Sequence, residues 1–178
     1  MLSPWATFYE IVGSAAGALI GLQFVVIALV ANMRRRPDFA SINTFSTPTI
    51  VHFSGALTIS AVMSAPWPST SAVSVTLAVC GLCGVAYAAT VFRHAARQTV
   101  YQPVWDDWLW YAIVPCGVYA ALTVAALMLL LLPPGGQARL FVVAGAALAL
   151  LLVGIRNAWD SVTHIVVVGH QYDATTPE

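Results

Sequence analysis

Five long apolar stretches, separated by short polar breaks, constrain this chain more than any motif it contains. They run over about 8–33, 47–67, 71–93, 107–132 and 138–168. A helix needs about 20 predominantly apolar residues to cross a bilayer, so each stretch predicts one crossing. The expected fold is an all-α integral membrane protein. It forms one domain over 1–178, a bundle of about five transmembrane helices with a short polar tail at 169–178. Composition points the same way: 60% of the residues are hydrophobic and 8% charged, too little polar surface to coat a soluble globule.

Local signals predict where the helices begin and end. Arg34, Arg35 and Arg36 close the first. Ser46 and Thr47 are placed to cap the second, with Pro48 in its first turn and Pro66 and Pro68 beyond its end. The third ends at Arg93, His94 and Arg97. Asp106 and Asp107 precede the fourth, where they favour its N-terminal dipole, and the run Pro133-Pro134-Gly135-Gly136 stops it. Pro115 predicts a kink in that helix. The fifth is wholly apolar from Leu140 to Ile155 and then turns polar.

All seven basic residues are arginines, and their distribution predicts the orientation. Arg34, Arg35, Arg36, Arg93 and Arg97 fall in connections on one side and Arg139 on the other, which expects the N-terminus outside and the C-terminus cytoplasmic. Trp5 and Trp67 then mark the outer interface, and Trp105, Trp108, Trp110 and Trp159 the inner one. The expected location is a bacterial-type inner membrane, with the lipid bilayer as first partner. A formal net charge of zero offers no basic field to nucleic acid, so no nucleic-acid role is expected.

Gly13, Gly17 and Gly21 repeat a small-xxx-small spacing that lets another helix backbone approach closely. Glu10, Ser14, Phe24 and Ala28 lie near the same stripe, which places Glu10 against protein rather than lipid. One reading is a self-association or pore seam ringed by Glu10 carboxylates; the other is packing inside one subunit.

A second group gathers toward the inner leaflet: His52, Arg156, Asn157, Asp160 and His164. Arg156, Asp160 and His164 are spaced i, i+4, i+8 and form one helical stripe, with Arg156 and Asp160 able to pair. Such charges at membrane depth serve a proton relay, an ion site or a gate, or simply lock helices together. His52, His94, His164 and His170 all fall on the inner side, and His52 with His164 is the candidate metal or haem pair if the two share a depth. No cofactor is expected ahead of that pair, since no tight metal-ligand spacing accompanies it. Cys80-Gly81-Leu82-Cys83 has redox spacing, but its mid-helix position and its glycines read as a close-packing surface, with Cys116 nearby. No enzyme motif is present, and no enzymatic activity is expected.

The expected function is a homo-oligomeric channel or transporter with the first helix at the subunit seam. The alternative is a non-catalytic accessory subunit that packs against other membrane subunits.

Overall fold

The computed structural model describes residues 3–31, 39–97, 105–133 and 136–175, with side chains over 4–29, 47–93, 105, 108–133 and 136–163. Every long element is helical. A 3-10 turn at Ser3–Trp5 leads into α1 (Ala6–Ala31), followed by α2 (Phe39–Ser64) and α3 (Thr70–Arg97). A fourth rod is assembled from α4 (Trp105–Trp108), a π turn (Leu109–Ile113) and α5 (Val114–Leu131), and α6 (Gln137–Thr175) completes the chain.

Among the described residues, four helices are long and apolar enough to cross a membrane: Ala6–Leu29, Thr70–Arg93, Leu109–Leu131 and Gln137–Thr163. The expected fifth, α2, has the length, since its 26 residues rise about 39 Å. It lacks the apolarity, because it carries Thr49, His52, Ser54, Thr58 and Ser60. Its neighbours resolve that conflict. α2 lies between α1 and α6, α5 lies between α6 and α3, and the stripe Thr49, His52, Phe53, Ala56, Ile59 and Ser60 is almost fully enclosed. Polar groups that would be costly against hydrocarbon sit inside the bundle instead.

The contacts give the direction of each helix. Phe53 packs on Gly154 and Leu150 on Gly55, so α2 and α6 are antiparallel. Gly81 meets Thr123 and Gly84 meets Tyr119, so α3 and α5 are antiparallel too. Trp5 stacks edge-on against Phe141 with ring centroids 4.7 Å apart, bringing the starts of α1 and α6 to one end. Phe92 and Trp108, 4.8 Å apart, join α3 to α4 at the other. Arg139 closes the α5–α6 turn by donating from Nη1 to the carbonyls of Met128, at 3.0 Å, and Pro133, at 3.3 Å. A cation there meets the carbonyl end of the α5 dipole.

Several helix ends differ from the sequence expectation. Helix α2 begins at Phe39, so Ser46 and Thr47 do not cap it and Pro48 lies inside it. Proline removes one ladder hydrogen bond, a loss membrane helices tolerate when neighbours enclose the segment, and Pro48 is buried. Pro115 brings a π turn rather than a simple kink: the Val114 N–H donates five residues back to the Leu109 carbonyl. The wider turn makes room ahead of a ring that otherwise strikes the carbonyl four residues earlier. Asp106 and Asp107 fall within α4 instead of preceding the rod. Helix α6 continues to Thr175 through most of the segment read as a polar tail, because nothing strong enough to stop it precedes Pro177. Arg34, Arg35 and Arg36 lie outside the described residues.

Candidate functional site

The glycine stripe of α1 divides between two environments. A Cβ built on Gly13 would stand 3.0 Å from the Ser60 Cβ, so Gly13 is spent on packing α1 against α2 of the same chain. A Cβ on Gly17 or Gly21 would meet nothing within 4 Å among the described residues. Glu10, Ser14, Gly17, Gly21 and Phe24 are exposed on the outer surface of the bundle. Among the described residues of one chain, then, Glu10 is exposed rather than packed against protein, contrary to the sequence expectation. The buried face of α1 is Tyr9, Val12, Gly13, Ala16 and Gln23.

The His52 end of the polar group is built around an aromatic side chain that sequence reasoning passed over. Tyr119 of α5 lies in a cradle of glycines: its ring occupies the space where Gly84 of α3 would carry a Cβ, and its hydroxyl comes within 2.9 Å of that space at Gly55 of α2. No larger residue fits at either glycine without moving the ring. Held there, the Tyr119 hydroxyl lies 3.3 Å from Nδ1 of His52, and the Tyr87 ring stands edge-on to the imidazole at 6.5 Å. Close packing at Gly84 therefore seats Tyr119 against His52, while Gly81 lets α3 approach Thr123 and the Tyr119 carbonyl of α5. Cys80, Cys83 and Cys116 are all free thiols.

The π turn sets the end of the site nearest α6. It aims Tyr111 so that its hydroxyl donates to the Asn157 carbonyl at 3.5 Å, and it places Trp110 with its ring centroid 5.4 Å from the Arg156 guanidinium carbon. Arg156 also pairs with Asp160 one turn on, both side chains about a third exposed (33% and 36%). Ser161 donates to the same Asn157 carbonyl at 2.9 Å. The Asn157 side chain behaves differently from its backbone: it is fully buried, and neither Nδ2 nor Oδ1 has a partner among the described residues.

Helix register brings this amide level with another. From the Gly13–Ser60 contact, Gln23 lies about 15 Å along α1 and Thr49 about 16 Å back along α2, at 1.5 Å per residue. From the Phe53–Gly154 contact, Asn157 lies about 4.5 Å along α6 and Thr49 about 6 Å back along α2. Gln23, Thr49 and Asn157 therefore share one layer of the bundle on three different helices, with His52 less than one turn above Thr49. Gln23 is 4% exposed, and its Nε2, like Nε2 of His52, has no partner among the described residues. A buried polar group left unpaired costs about 1–3 kcal/mol, and several such atoms lie in this one layer.

The structure separates the two histidines proposed as a pair. Gly154 lies at the level of Phe53, next to His52, while position 164 stands ten residues further along α6, about 15 Å away. The side chains of His94, His164 and His170 lie outside the described residues. Among the described residues, no three His, Cys, Asp or Glu side chains gather into a metal site. Of the functional candidates, sequence reasoning reached His52, Arg156, Asn157 and Asp160 but missed Gln23, Tyr119 and Tyr111. The signal for Gln23 was present, since it is the single amide in an otherwise apolar stretch of α1.

Between α5 and α6 lies a shallow apolar groove of about 410 Å³ lined by Gly117, Ala121, Gly145 and Ala149. No protein-family model matches the sequence, and no curated protein or solved structure matches it either.

Proposed function

We propose that this protein is a homo-oligomeric membrane channel or small transporter in which α1 forms the subunit seam. One observation carries the reading: Glu10, Ser14, Gly17 and Gly21 line an outward face of a helix long and apolar enough to span a membrane, and a Cβ on Gly17 or Gly21 would meet no atom within 4 Å among the described residues. A carboxylate on such a helix is expensive against hydrocarbon and favours burial in protein or in a wet seam. Glycines at that spacing let helix backbones of different copies meet. Copies arranged about an axis then bring Glu10 into a ring of the kind that selects cations. The excess of arginine at the α3–α4 end favours that end as cytoplasmic, with the N-terminus outside, in a bacterial inner membrane.

The test is native mass measurement of the protein released from nanodiscs, together with potassium flux into proteoliposomes. A symmetric oligomer that Gly17→Leu with Gly21→Leu reduces to monomer, and a flux that Glu10→Gln lowers by several-fold, support the proposal. A monomer without flux overturns it.

The apolar α5–α6 groove favours a second reading, an accessory subunit that receives a helix of another membrane protein. A persistent heterologous partner in the native mass spectrum distinguishes that reading from the first.

A further inference from the structure

We infer that the layer formed by Gln23, Thr49, His52 and Asn157 encloses a binding site for one class of guest: a small neutral molecule that both donates and accepts hydrogen bonds. Water belongs to this class, and so does a solute bearing a hydroxyl or amide group. The inference stands on the interior of a single chain and does not depend on self-association through α1.

Three observations support it. The side chains come from α1, α2 and α6 and are at most 4% exposed. Register places them within about one helical turn of a common level, as the Gly13–Ser60 and Phe53–Gly154 contacts require. Four of their polar atoms, Gln23 Nε2, His52 Nε2, Asn157 Nδ2 and Asn157 Oδ1, have no partner among the described residues. Buried polar atoms in folded proteins almost always find partners, and bound water is the usual one where protein supplies none.

The kinds of atom decide the kind of guest. The amide nitrogens of Gln23 and Asn157 donate, the Asn157 oxygen accepts, and the free imidazole nitrogen takes whichever role its tautomer leaves. A cation would satisfy the oxygen and face the amide N–H groups; an anion would do the reverse. A neutral molecule with both functions serves them together. The nearest formal charges point elsewhere, since Arg156 is held by Asp160 and stacks over Trp110. Neighbouring hydroxyls are already engaged, with Tyr111 and Ser161 donating to the Asn157 carbonyl and Tyr119 directed at the other nitrogen of His52.

The test is water-edited solid-state NMR on the full chain in phospholipid bilayers, with ¹⁵N in the Asn and Gln side chains. Gln23→Met and Asn157→Leu identify the two resonances. The expected result is magnetisation build-up from water at Gln23 and Asn157 several-fold faster than at the core methyls of Leu77, Leu122 and Leu150. It should approach the rate at exposed Gln137. Gln23→Met, which preserves volume, should slow the build-up at Asn157 several-fold, because the two amides share one guest. Glycerol and acetamide, added in turn, separate the sources. Shifts confined to Gln23 and Asn157 identify a solute as occupant, and fast build-up without shifts identifies water. Build-up as slow as in the core with no shift by either solute, or a Gln23→Met protein whose Asn157 signal is unchanged, overturns the inference.

Discussion

Helices α1 and α2 are each 26 residues long and pack side by side, yet they occupy opposite environments. α1 is apolar enough to cross a membrane unaided and leaves much of its surface open; α2 is too polar to do so and is enclosed on most of one face. The difference shows how a bundle sorts helices when its solvent is hydrocarbon. In water the most apolar helix goes to the centre. In lipid, the helix carrying Thr49, His52 and Ser60 gains most from enclosure, because protein on its buried face keeps its polar groups away from the acyl chains.

The largest test of this contrast strikes the enclosure of α2. Gly84→Leu drives a side chain into the Tyr119 ring and so displaces the residue that meets His52. A loss of about 3 kcal/mol is expected, at the upper end of overpacking costs, read as a large drop in the midpoint of SDS or thermal unfolding in micelles. Stability close to that of the parent protein would mean that α3 and α5 do not hold α2 in this way.

A paired test within α1 comes next. Gly13→Leu must push Ser60 aside and is expected to cost about 1–3 kcal/mol. Gly17→Leu enters open space, so the monomer should stay within about 0.5 kcal/mol of the parent. Unfolding of the two variants under monomeric conditions compares them directly. Equal losses would erase the distinction between the packed and open parts of the stripe.

Tyr119→Phe probes the enclosed polar stripe more gently. It removes the hydroxyl 3.3 Å from His52 while keeping the ring in its glycine cradle, and about 1 kcal/mol of stability should go with it. A stability gain would mark the contact as geometric only. The smallest effect is expected at Cys83, which is exposed on α3 and free: Cys83→Ala should change the unfolding midpoint by less than about 0.5 kcal/mol in equivalent stability. A larger loss would place that face of α3 in a contact the single chain does not make.

Much of this arrangement was legible before any coordinates. Apolar run length announces helices in a membrane chain because hydrocarbon offers backbone groups no alternative partner. Proline and glycine runs located the breaks between Ser64 and Thr70 and between Leu131 and Gln137 to within a few residues. Pairing of Arg156 with Asp160 was legible too, since i, i+4 spacing brings two side chains together on any helix. Pro48 misled because a proline suits either a first turn or an enclosed helix interior, and only the neighbours distinguish the two.

Sequence by itself determined the class of this protein, its run of helices and the local i, i+4 contacts, all of which depend on residues close in the chain. Tertiary structure alone decided that Gly13 packs inward while Gly17 and Gly21 stay open, that Tyr119 meets His52, and that His52 and His164 lie apart. It alone brought Gln23 and Asn157 level. Those relations depend on how far one helix slides and turns against another, which is set by steric fit at a few glycine contacts and has no periodic signature in the sequence.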